Sequence, residues 1–385
     1  MTEWRDMTLG DICELKRGYD LPAASREIGV VPIVSSGGIT GYHSEPKVRG
    51  PGVVTGRYGT LGEVYFVEED FWPLNTALYV RDFKGNEPRF VAALLESLEL
   101  GRNDGAAAVP GVNRNQLHGI RVRCPDRRIQ RLIGIVLGTL DALIANNRRR
   151  IALLEQMARV IYREWFVHFR YPGHESGALV DSPLDPIPEG WSVRNLFDVA
   201  DVSFGFSFKS NWFADAGPFP VIRIRDVPVG ATRTFSSEQP AERYRVTDGD
   251  VLIGMDGDFH LRQWIGGVAW LNQRVARLRP RGGLTARHLM LAVEAPIKEL
   301  NAAIVGTTVA HLGKRHLEKV KILVPSPDVL AVASPILDDI ANHECALAQS
   351  CRQLGMIRDL LLPKLVTGQI DVSKLDLDEL VGTAT

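Results

Sequence analysis

The spacing of apolar residues changes twice along the chain, from a period of two to a period of about 3.5. Short alternating runs such as residues 63–67 and 267–270 are bounded by glycine, proline, asparagine and aspartate, which predicts strands and turns. Each of these mixed regions closes on a strand-like run that ends in proline, at Pro125 and Pro325. Beyond each proline, apolar residues recur three and four positions apart, which predicts a long amphipathic helix.

The two apolar ladders define these helices. The first contains Ile129, Ile133, Val136, Leu140, Leu143, Ile151, Leu154, Ala158, Ile161 and Trp165, and the second contains Leu337, Ile340, Leu347, Cys351, Leu354, Ile357 and Leu361. The first ladder slips once near Asn146, as in a coiled coil with a stutter. Ser334-Pro335 is predicted to be the N-cap and first residue of the second regular helix, and Pro363 and Gly368 are predicted to end it. A helix of about forty residues would span roughly 60 Å.

The chain also repeats itself. Two series of residues match in the same order: Trp4, Leu9, Gly18, Pro32, Gly52, Leu117, Ile120 and Val122 with Trp191, Leu196, Gly205, Pro220, Asp250, Leu317, Val320 and Ile322. The offset grows between 222 and 250, which predicts a surface insertion in the second copy. Each copy also contains a short predicted helix, at residues 89–98 and 287–294.

Two similar one-sided helices can bury their apolar stripes against each other. We therefore predict an α+β fold, with two mixed α/β domains, two long antiparallel coiled-coil helices and a pseudo-twofold relation between the copies. The predicted segments are a first domain at 1–125, a helix at 126–170, a linker at 171–188, a second domain at 189–326, a second helical segment at 327–368 and a tail at 369–385.

Composition narrows the class of protein. The chain has 385 residues, of which 45% are hydrophobic and 24% charged, which is typical of globular domains. No uninterrupted apolar run reaches the ~18 residues of a membrane span. Four cysteines without a CxxC pair favour a reducing cytoplasm. The formal net charge of −1 means that any binding to DNA would depend on local basic patches or on a partner.

Motifs for catalysis are missing from the sequence. Residues 306–314 have the wrong spacing for a phosphate-binding P-loop, and the glycines at 56, 59 and 62 lie between strand-like runs, where tight turns are their expected role. The histidines lack metal-ligand spacing, and the carboxylates suggest no acid–base pair. We therefore predict no catalytic residue and no metal ligand.

Four segments carry a resemblance to a known family: residues 53–62 (VVTGRYGTLG), 108–117 (AVPGVNRNQL), 137–148 (LGTLDALIANNR) and 360–368 (LLLPKLVTG). With the duplication, they make the chain similar to the specificity (S) subunit of type I restriction-modification enzymes. The resemblance implies two target-recognition domains that each read half of a bipartite, asymmetric DNA site. It also implies two copies of an adenine methyltransferase subunit, and an ATP-driven restriction subunit in some complexes. It implies no cofactor bound by this chain, since S-adenosylmethionine would belong to the methyltransferase.

Side chains that suit base edges or phosphates mark candidate DNA contacts in both copies. They are Arg57, Tyr58, Asn113, Arg114, Asn115 and Gln116 in the first copy, and Lys209, Arg223, Arg225, Asp256, Asp258, His260, Arg262, Lys314 and Arg315 in the second. Residues 113–116 fit helix capping as well as base contact. Asp256 and Asp258 fit turn capping as well as contact with cytosine. Arg223 and Arg225 are predicted to share one face of a strand, where they either contact DNA or are solvated.

Arg148, Arg149 and Arg150 lie at the slip in the first ladder. They fit either a solvated helix face or a site that contacts a partner subunit or DNA phosphates, and docking of a partner is the assignment that we predict. Two rival functions remain open at this point: a self-contained DNA-modifying enzyme with unrecognised motifs, and a coiled-coil scaffold without a role in DNA binding.

Overall fold

The computed structural model describes residues 4–57, 63–98, 114–183, 185–304 and 311–375. The chain divides into two compact units. Unit 1 comprises Met1–Leu143 and Leu354–Thr385, and unit 2 comprises Ile144–Gln353. Each unit thus combines one mixed α/β region with part of both long helices.

Unit 1 is built from short strands and helices. The strands are β1 (Arg5–Thr8), β2 (Glu14–Arg17), β3 (Val31–Ser35), β4 (Gly38–His43), β5 (Gly52–Gly56), β6 (Val64–Val67), β7 (Trp72–Pro73), β8 (Ala77–Asp82) and β9 (Arg121–Cys124). The helices are α1 (Leu9–Ile12), α2 (Pro88–Ser97), α3 (Arg114–His118) and the first part of α4 (Arg127–Tyr162). One antiparallel sheet has the order β2-β8-β5-β6, a second has the order β4-β3-β7, and β1 pairs with β9. The helix predicted at 89–98 is confirmed as α2.

Unit 2 repeats this plan with additions. Its strands are β10 (Leu179–Val180), β11 (Ile187–Pro188), β12 (Ser192–Asn195), β13 (Ala200–Phe204), β14 (Phe213–Ala214), β15 (Phe219–Ile222), β16 (Phe235–Ser236), β17 (Arg245–Val246), β18 (Val251–Gly254), β19 (Leu261–Gln263), β20 (Ala269–Leu271), β21 (Val275–Pro280) and β22 (Lys321–Val324). Its helices, apart from the rest of α4, are α5 (Leu196–Val199), α6 (Ala286–Ala303), α7 (Lys314–Leu317) and the first part of α8 (Pro327–Val366). The sheet order β13-β21-β18-β19 matches β2-β8-β5-β6. The predicted helix at 287–294 is longer than expected, because α6 continues through Pro296.

The duplication is visible in equivalent hydrogen bonds. The amide of Leu9 donates to the carbonyl of Ile120 at 2.8 Å, and the amide of Leu196 donates to that of Val320 at 2.9 Å. Strand pairing is equally matched, since the parallel pair β3–β7 corresponds to the parallel pair β15–β20. The pattern of repeated residues in the sequence therefore reflects two copies of one fold.

Two matched glycines show why the repeat preserves particular residues. A Cβ on Gly18 would lie 2.2 Å from the carbonyl oxygen of Leu74, and a Cβ on Gly205 would lie 2.0 Å from that of Asn272. Because these obstacles are backbone atoms, no side chain can move aside. Only glycine allows the two segments to approach this closely at either position.

Within each unit the two long helices pack antiparallel. In unit 1 the start of α4 shares a core with the end of α8, through Ile133 and Leu365. In unit 2 the end of α4 shares a core with the start of α8, through Ala158 and Leu337. The antiparallel arrangement predicted from the two ladders is therefore observed in both units.

The prediction that Ser334 and Pro335 are the N-cap and first residue of the second helix is wrong. Helix α8 starts at Pro327 rather than at Ser334-Pro335, and the amide of Leu330 already donates to the carbonyl of Ser326 at 3.0 Å. Proline suits the first turn because its missing amide has no partner there. Pro335 cannot donate a backbone hydrogen bond inside the helix. The packing of α8 on both sides of Pro335 offsets this loss.

The end of α8 and one member of its ladder also differ from expectation. The helix passes Pro363 and ends at Val366, after which Gly368 has a φ of +74° that terminates it. Ile357, assigned to the buried ladder, is 46% exposed. The neighbouring Arg358 is the more buried residue, because it pairs with Glu96 and Asp141.

By length and composition, the helical segment Arg127–Val167 is apolar enough to cross a membrane, although Asp141 interrupts its apolar run. About a third of its most apolar stretch is buried. Leu132 enters the core of unit 1 and Ala158 that of unit 2, both without exposed surface.

Candidate nucleic-acid interface

Two short helices at equivalent places present the strongest candidate contacts. Each helix is anchored by one buried leucine, Leu117 in α3 and Leu317 in α7. Arg114 and Asn115 open α3, and Lys314 and Arg315 open α7, and all four are exposed. Their backbone is fixed by the leucine anchors, and their side chains reach solvent, which suits contact with a nucleic acid.

Other first-copy candidates are only partly described. Arg57 directly follows β5, is half-buried, and donates its amide to the carbonyl of Thr76 at 3.1 Å. Gln116 lies exposed in α3. Tyr58 and Asn113 lie outside the described residues.

Asp256 belongs to a polar network in unit 2. Its Oδ1 atom lies 2.6 Å from Nδ1 of His311, and its Oδ2 atom lies 3.3 Å from Nε of Arg274. The backbone of Asp256 also pairs with that of His311. This carboxylate joins three chain segments, as expected of a structural turn residue.

The remaining residues of this loop are more accessible. Asp258 and His260 are exposed, and the amide of His260 donates to the carbonyl of Asp258 at 2.8 Å. Gly257 has a φ of +70°, which makes the tight turn between Asp256 and Asp258 possible.

The prediction that Arg223 and Arg225 lie on a strand is wrong. Strand β15 ends at Ile222, and residues 224–226 form a turn of 3₁₀ helix. The carboxylate of Asp226 accepts a hydrogen bond from the amide of Arg223 at 2.8 Å, which satisfies the turn and ends the strand. The two side chains differ accordingly: Arg223 lies over the ring of Phe213, and Arg225 donates to the hydroxyl of Thr234 at 3.2 Å.

Lys209 and Arg262 are placed differently from each other. Lys209 is exposed, and its amide donates to Glu238 at 3.0 Å. Arg262 donates to the carbonyl of Pro228 at 2.7 Å and lies 3.8 Å from Glu155. The side chain of Arg262 therefore already makes polar contacts within unit 2.

The comparison with known proteins agrees with this duplicated architecture. A family model described as "Type I restriction modification DNA specificity domain" matches residues 1–156 and again residues 188–349. The chain belongs to this type I specificity family. Its two matches correspond to the two copies recognised in the sequence and the fold.

Members of the specificity family resemble the chain to different extents. The EcoBI specificity subunit of Escherichia coli is 32% identical over 190 residues, which cover 48% of this chain and 40% of that protein. The MjaIX specificity subunit of Methanocaldococcus jannaschii is 24% identical over 287 residues, which cover 70% and 65% of the two chains. The chain thus spans less than two thirds of either relative. The solved S subunit from M. genitalium has the same fold, with a TM-score of 0.57 and 16% identity over 97% of both chains.

Sequence reasoning missed an aromatic and cationic cluster in unit 1 of this specificity-family chain. The ammonium of Lys47 lies 5.8 Å from the ring centre of Tyr19 and 5.3 Å from that of Trp72, and Lys16 lies 5.2 Å from Tyr19. A hydrogen bond to Tyr79 and the nearby Lys16 lower the pKa of the Tyr19 hydroxyl. Cations over aromatic rings suit phosphate and base contacts.

The repeat contained a signal for this cluster. Tyr19 follows Gly18, and Phe206 follows the matching Gly205, so the aromatic position is duplicated. In unit 2, Phe206 contacts Phe208 and Tyr244 without a lysine over its ring among the described residues. The two copies of the specificity fold therefore carry different chemistry at an equivalent place.

Helix α4 exposes Arg148, Arg149 and Arg150. Exposure fits both a solvated face and a docking site, and the choice stays a prediction. Across the described ranges, no group of three or more His, Cys, Asp or Glu side chains has a geometry that could hold a metal ion.

Proposed function

We propose that this chain is the DNA-reading component of a type I restriction-modification system and that it recognises a bipartite, asymmetric target. The observation that carries this proposal is the presence of two copies of one specificity fold with different exposed side chains. An asymmetric site in two parts needs two readers of different chemistry. A single duplicated chain supplies both.

Each copy would read DNA through the start of its short helix. Arg114 and Asn115 would contact one half-site, and Lys314 and Arg315 the other. Arginine and lysine pair with guanine, and asparagine pairs with adenine, through their major-groove edges. Each good base contact of this kind is worth about 1–3 kcal/mol of discrimination.

Chemistry on the DNA would belong to partner proteins. The chain would recruit two copies of an adenine methyltransferase that uses S-adenosylmethionine, and in some complexes a restriction subunit. Arg148, Arg149 and Arg150 are our candidates for docking, because they are exposed on one helical segment. The chain itself would bind no cofactor.

The test combines methylome mapping with matched variants. The full chain is produced with the methyltransferase of its own system in a host without other adenine methylation, and methylated adenines are mapped. We expect one bipartite sequence. The double variant Arg114→Ala/Asn115→Ala should relax one half of it, and Lys314→Ala/Arg315→Ala the other half.

Two controls separate this function from its rivals. Lys298→Ala removes an exposed lysine of α6 and should leave the target unchanged. Replacement of residues 1–125 by those of another family member should change one half-site only. Unchanged specificity after that exchange would favour a scaffold, and methyl transfer or DNA cleavage by the purified chain alone would show a self-contained enzyme.

A further inference from the structure

Two lysines and a tyrosine hydroxyl of unit 1 meet beside one aromatic ring. Lys16 of β2 donates to the Tyr19 hydroxyl at 3.3 Å, and its ammonium lies 5.2 Å from the centre of the Tyr19 ring. The ammonium of Lys47 lies 5.8 Å from the same ring centre and 5.3 Å from that of Trp72. Lys47 is exposed and the other three residues are half-buried, so these four residues, which we call the Tyr19 cluster, reach the surface.

The backbone of unit 1 holds the members of the Tyr19 cluster in place. The amide of Tyr19 donates to the carbonyl of Pro73 at 2.8 Å, and the amide of Lys47 donates to that of Phe71 at 3.0 Å. Lys16 belongs to β2, which pairs with β8. The cluster therefore combines three separate segments that are each tied to neighbouring backbone.

The hydrogen bonds of two tyrosines leave one proton available. The hydroxyls of Tyr19 and Tyr79 lie 3.0 Å apart. Tyr79 is 3% exposed, burial and this hydrogen bond raise the pKa of its hydroxyl, and its proton has no other acceptor among the described residues. Since the large majority of buried donors are satisfied in native proteins, Tyr79 donates to Tyr19. Tyr19 thus accepts from Tyr79 and Lys16, and its own proton can be donated to a ligand.

The two ammoniums of the Tyr19 cluster lack an anion. Neither Lys16 nor Lys47 forms an ion pair with a carboxylate in the part of the chain that the structure describes, whereas Arg81 of β8 pairs with Glu14. Two positive charges beside one ring repel each other, and the aromatic faces offset only part of that repulsion. An anion whose oxygens accept from both ammoniums and from the Tyr19 hydroxyl would satisfy all three groups.

The Tyr19 cluster adjoins the proposed reader of the first half-site. The amide of Leu15, which precedes Lys16, donates to Nε2 of His118 at the end of α3 at 2.9 Å. From His118 back to Arg114, at the start of α3, the helix spans about 6 Å. Lys16 and Arg114 therefore lie well within one turn of B-DNA, which is about 34–36 Å long.

We propose that the Tyr19 cluster binds a phosphodiester of the DNA backbone, whose oxygens accept from Lys16, Lys47 and the Tyr19 hydroxyl. The inference rests on the DNA-reading function proposed above, and it adds a contact that positions the duplex. Phosphate contacts carry no sequence information directly, so the cluster holds the DNA while α3 reads it. Phe206, the counterpart of Tyr19 in unit 2, has no hydroxyl, so the two half-sites are held by different chemistry.

The first experiment measures DNA binding by the chain in complex with its methyltransferase. Fluorescence anisotropy compares a duplex that contains the mapped target with a duplex whose half-sites are scrambled, at about 50 to 200 mM salt. The variant Lys16→Gln/Lys47→Gln should weaken binding to both duplexes by about tenfold at the lowest salt, as expected for lost hydrogen bonds to a charged group. The slope of the log of the binding constant against the log of the salt concentration should fall by about one. The methylated sequence should stay the same.

Tyr19→Phe separates the hydroxyl from the charges. It should weaken binding to both duplexes and leave the salt slope unchanged, because the phenol is neutral. The matched controls are Lys374→Gln and Tyr42→Phe, which change an exposed lysine and an exposed tyrosine of unit 1 and should leave binding unaltered. Since Tyr79 loses its acceptor in Tyr19→Phe, thermal unfolding without DNA checks that this variant is folded.

A methylphosphonate scan identifies the anion. Each phosphodiester of the target duplex is replaced in turn by a neutral methylphosphonate. One position should weaken binding by the wild type and have no further effect on Lys16→Gln/Lys47→Gln. If no position behaves in this way and inorganic phosphate binds the wild type but not the variant, the cluster is a site for the free anion and the proposal is wrong.

Three further results would overturn the proposal. One is an unchanged salt slope in Lys16→Gln/Lys47→Gln, and another is weakening confined to the target duplex, which would make the cluster a base reader. The third is weaker assembly of that variant with the methyltransferase without DNA, which would assign the cluster to a carboxylate of the partner. None of these results changes the methylated sequence of the wild type, so failure here is distinguishable from failure of the DNA-reading function.

Discussion

The buried pair of Arg287 and Glu344 predicts an unusual dependence of stability on pH. Burial raises the pKa of the Glu344 carboxyl to about 7, against an ordinary value of 4.5, despite the attraction of Arg287. The folded protein therefore holds this proton more tightly than the unfolded chain does. The contribution of the Glu344 carboxyl to the free energy of unfolding is fully present below pH 4.5 and is lost as the pH rises through 7.

The size of the effect follows from the shift. One pKa unit corresponds to about 1.4 kcal/mol, so the complete loss is roughly 3 kcal/mol between pH 4.5 and 8. His288, which lies next to Arg287 on α6, contributes with the opposite sign. Burial lowers its pKa to about 4 from 6.5, so its protonation in the unfolded chain destabilises the fold at acidic pH. The two effects oppose each other in one pH range, and the wild-type profile alone would hide both.

The variant Glu344→Gln isolates the carboxyl. Its amide resembles the protonated acid in shape and cannot ionise, while His288 is unchanged. We expect wild type and variant to be similarly stable at pH 5 and the wild type to become less stable than the variant by up to about 3 kcal/mol at pH 8. Urea unfolding followed by circular dichroism at half-unit steps of pH measures the difference.

The matched control is Glu299→Gln, which changes an exposed glutamate of α6. The difference in the free energy of unfolding between this variant and the wild type should not vary with pH. The reasoning fails if the Glu344→Gln difference is also constant, or if the wild type gains stability over that variant as the pH rises. Either result would mean that Glu344 is ionised throughout the range and that Arg287 compensates its burial.

Other predictions concern packing and ion pairs in both units. Gly18→Ala and Gly205→Ala should each lower the free energy of unfolding by at least 1–3 kcal/mol, because each new methyl group meets a carbonyl oxygen, and near-wild-type melting temperatures would contradict the close approach. Gly355→Ala, in an open position of α8, should instead stabilise by up to about 1 kcal/mol in the same thermal assay. Arg358→Leu should destabilise by about 1–3 kcal/mol in urea, since it leaves Glu96 without its bidentate partner at 2.6 and 2.7 Å, and restoration by Glu96→Gln would confirm the cause.

The sequence predicted the duplication well because backbone geometry requires particular residues. Gly18 and Gly205 are needed for equivalent close contacts, and they stand at equivalent positions of the two copies. The junctions at Pro125 and Pro325, where a strand is followed by a long helix, could also be predicted. The change in the spacing of apolar residues is a local property of the chain. These features needed no information from distant residues.

Other features depend on residues far apart in the sequence. An apolar ladder cannot identify Arg358 as a partly buried residue, because its burial depends on Glu96, which is 262 residues away along the chain. The lysines near Tyr19 come from separate strands and loops, and the sequence does not show that they meet. The prediction of a strand at Arg223 was wrong for a local reason, because the carboxylate of Asp226 accepts the hydrogen bond of the Arg223 backbone amide.

The contacts of the candidate residues also separate scaffold from reading surface. Asp256 is held by His311, and Arg262 is held by the carbonyl of Pro228, so changes at these two positions would disturb the fold of unit 2 as well as any DNA contact. Arg114 and Arg315 are exposed at the ends of short helices whose leucines and backbone bonds keep the helix in place. A reader can change its target without losing its fold only where the side chain is not needed by the scaffold. We therefore expect the identity of each half-site to depend more on the exposed starts of α3 and α7 than on the buried polar networks beside them.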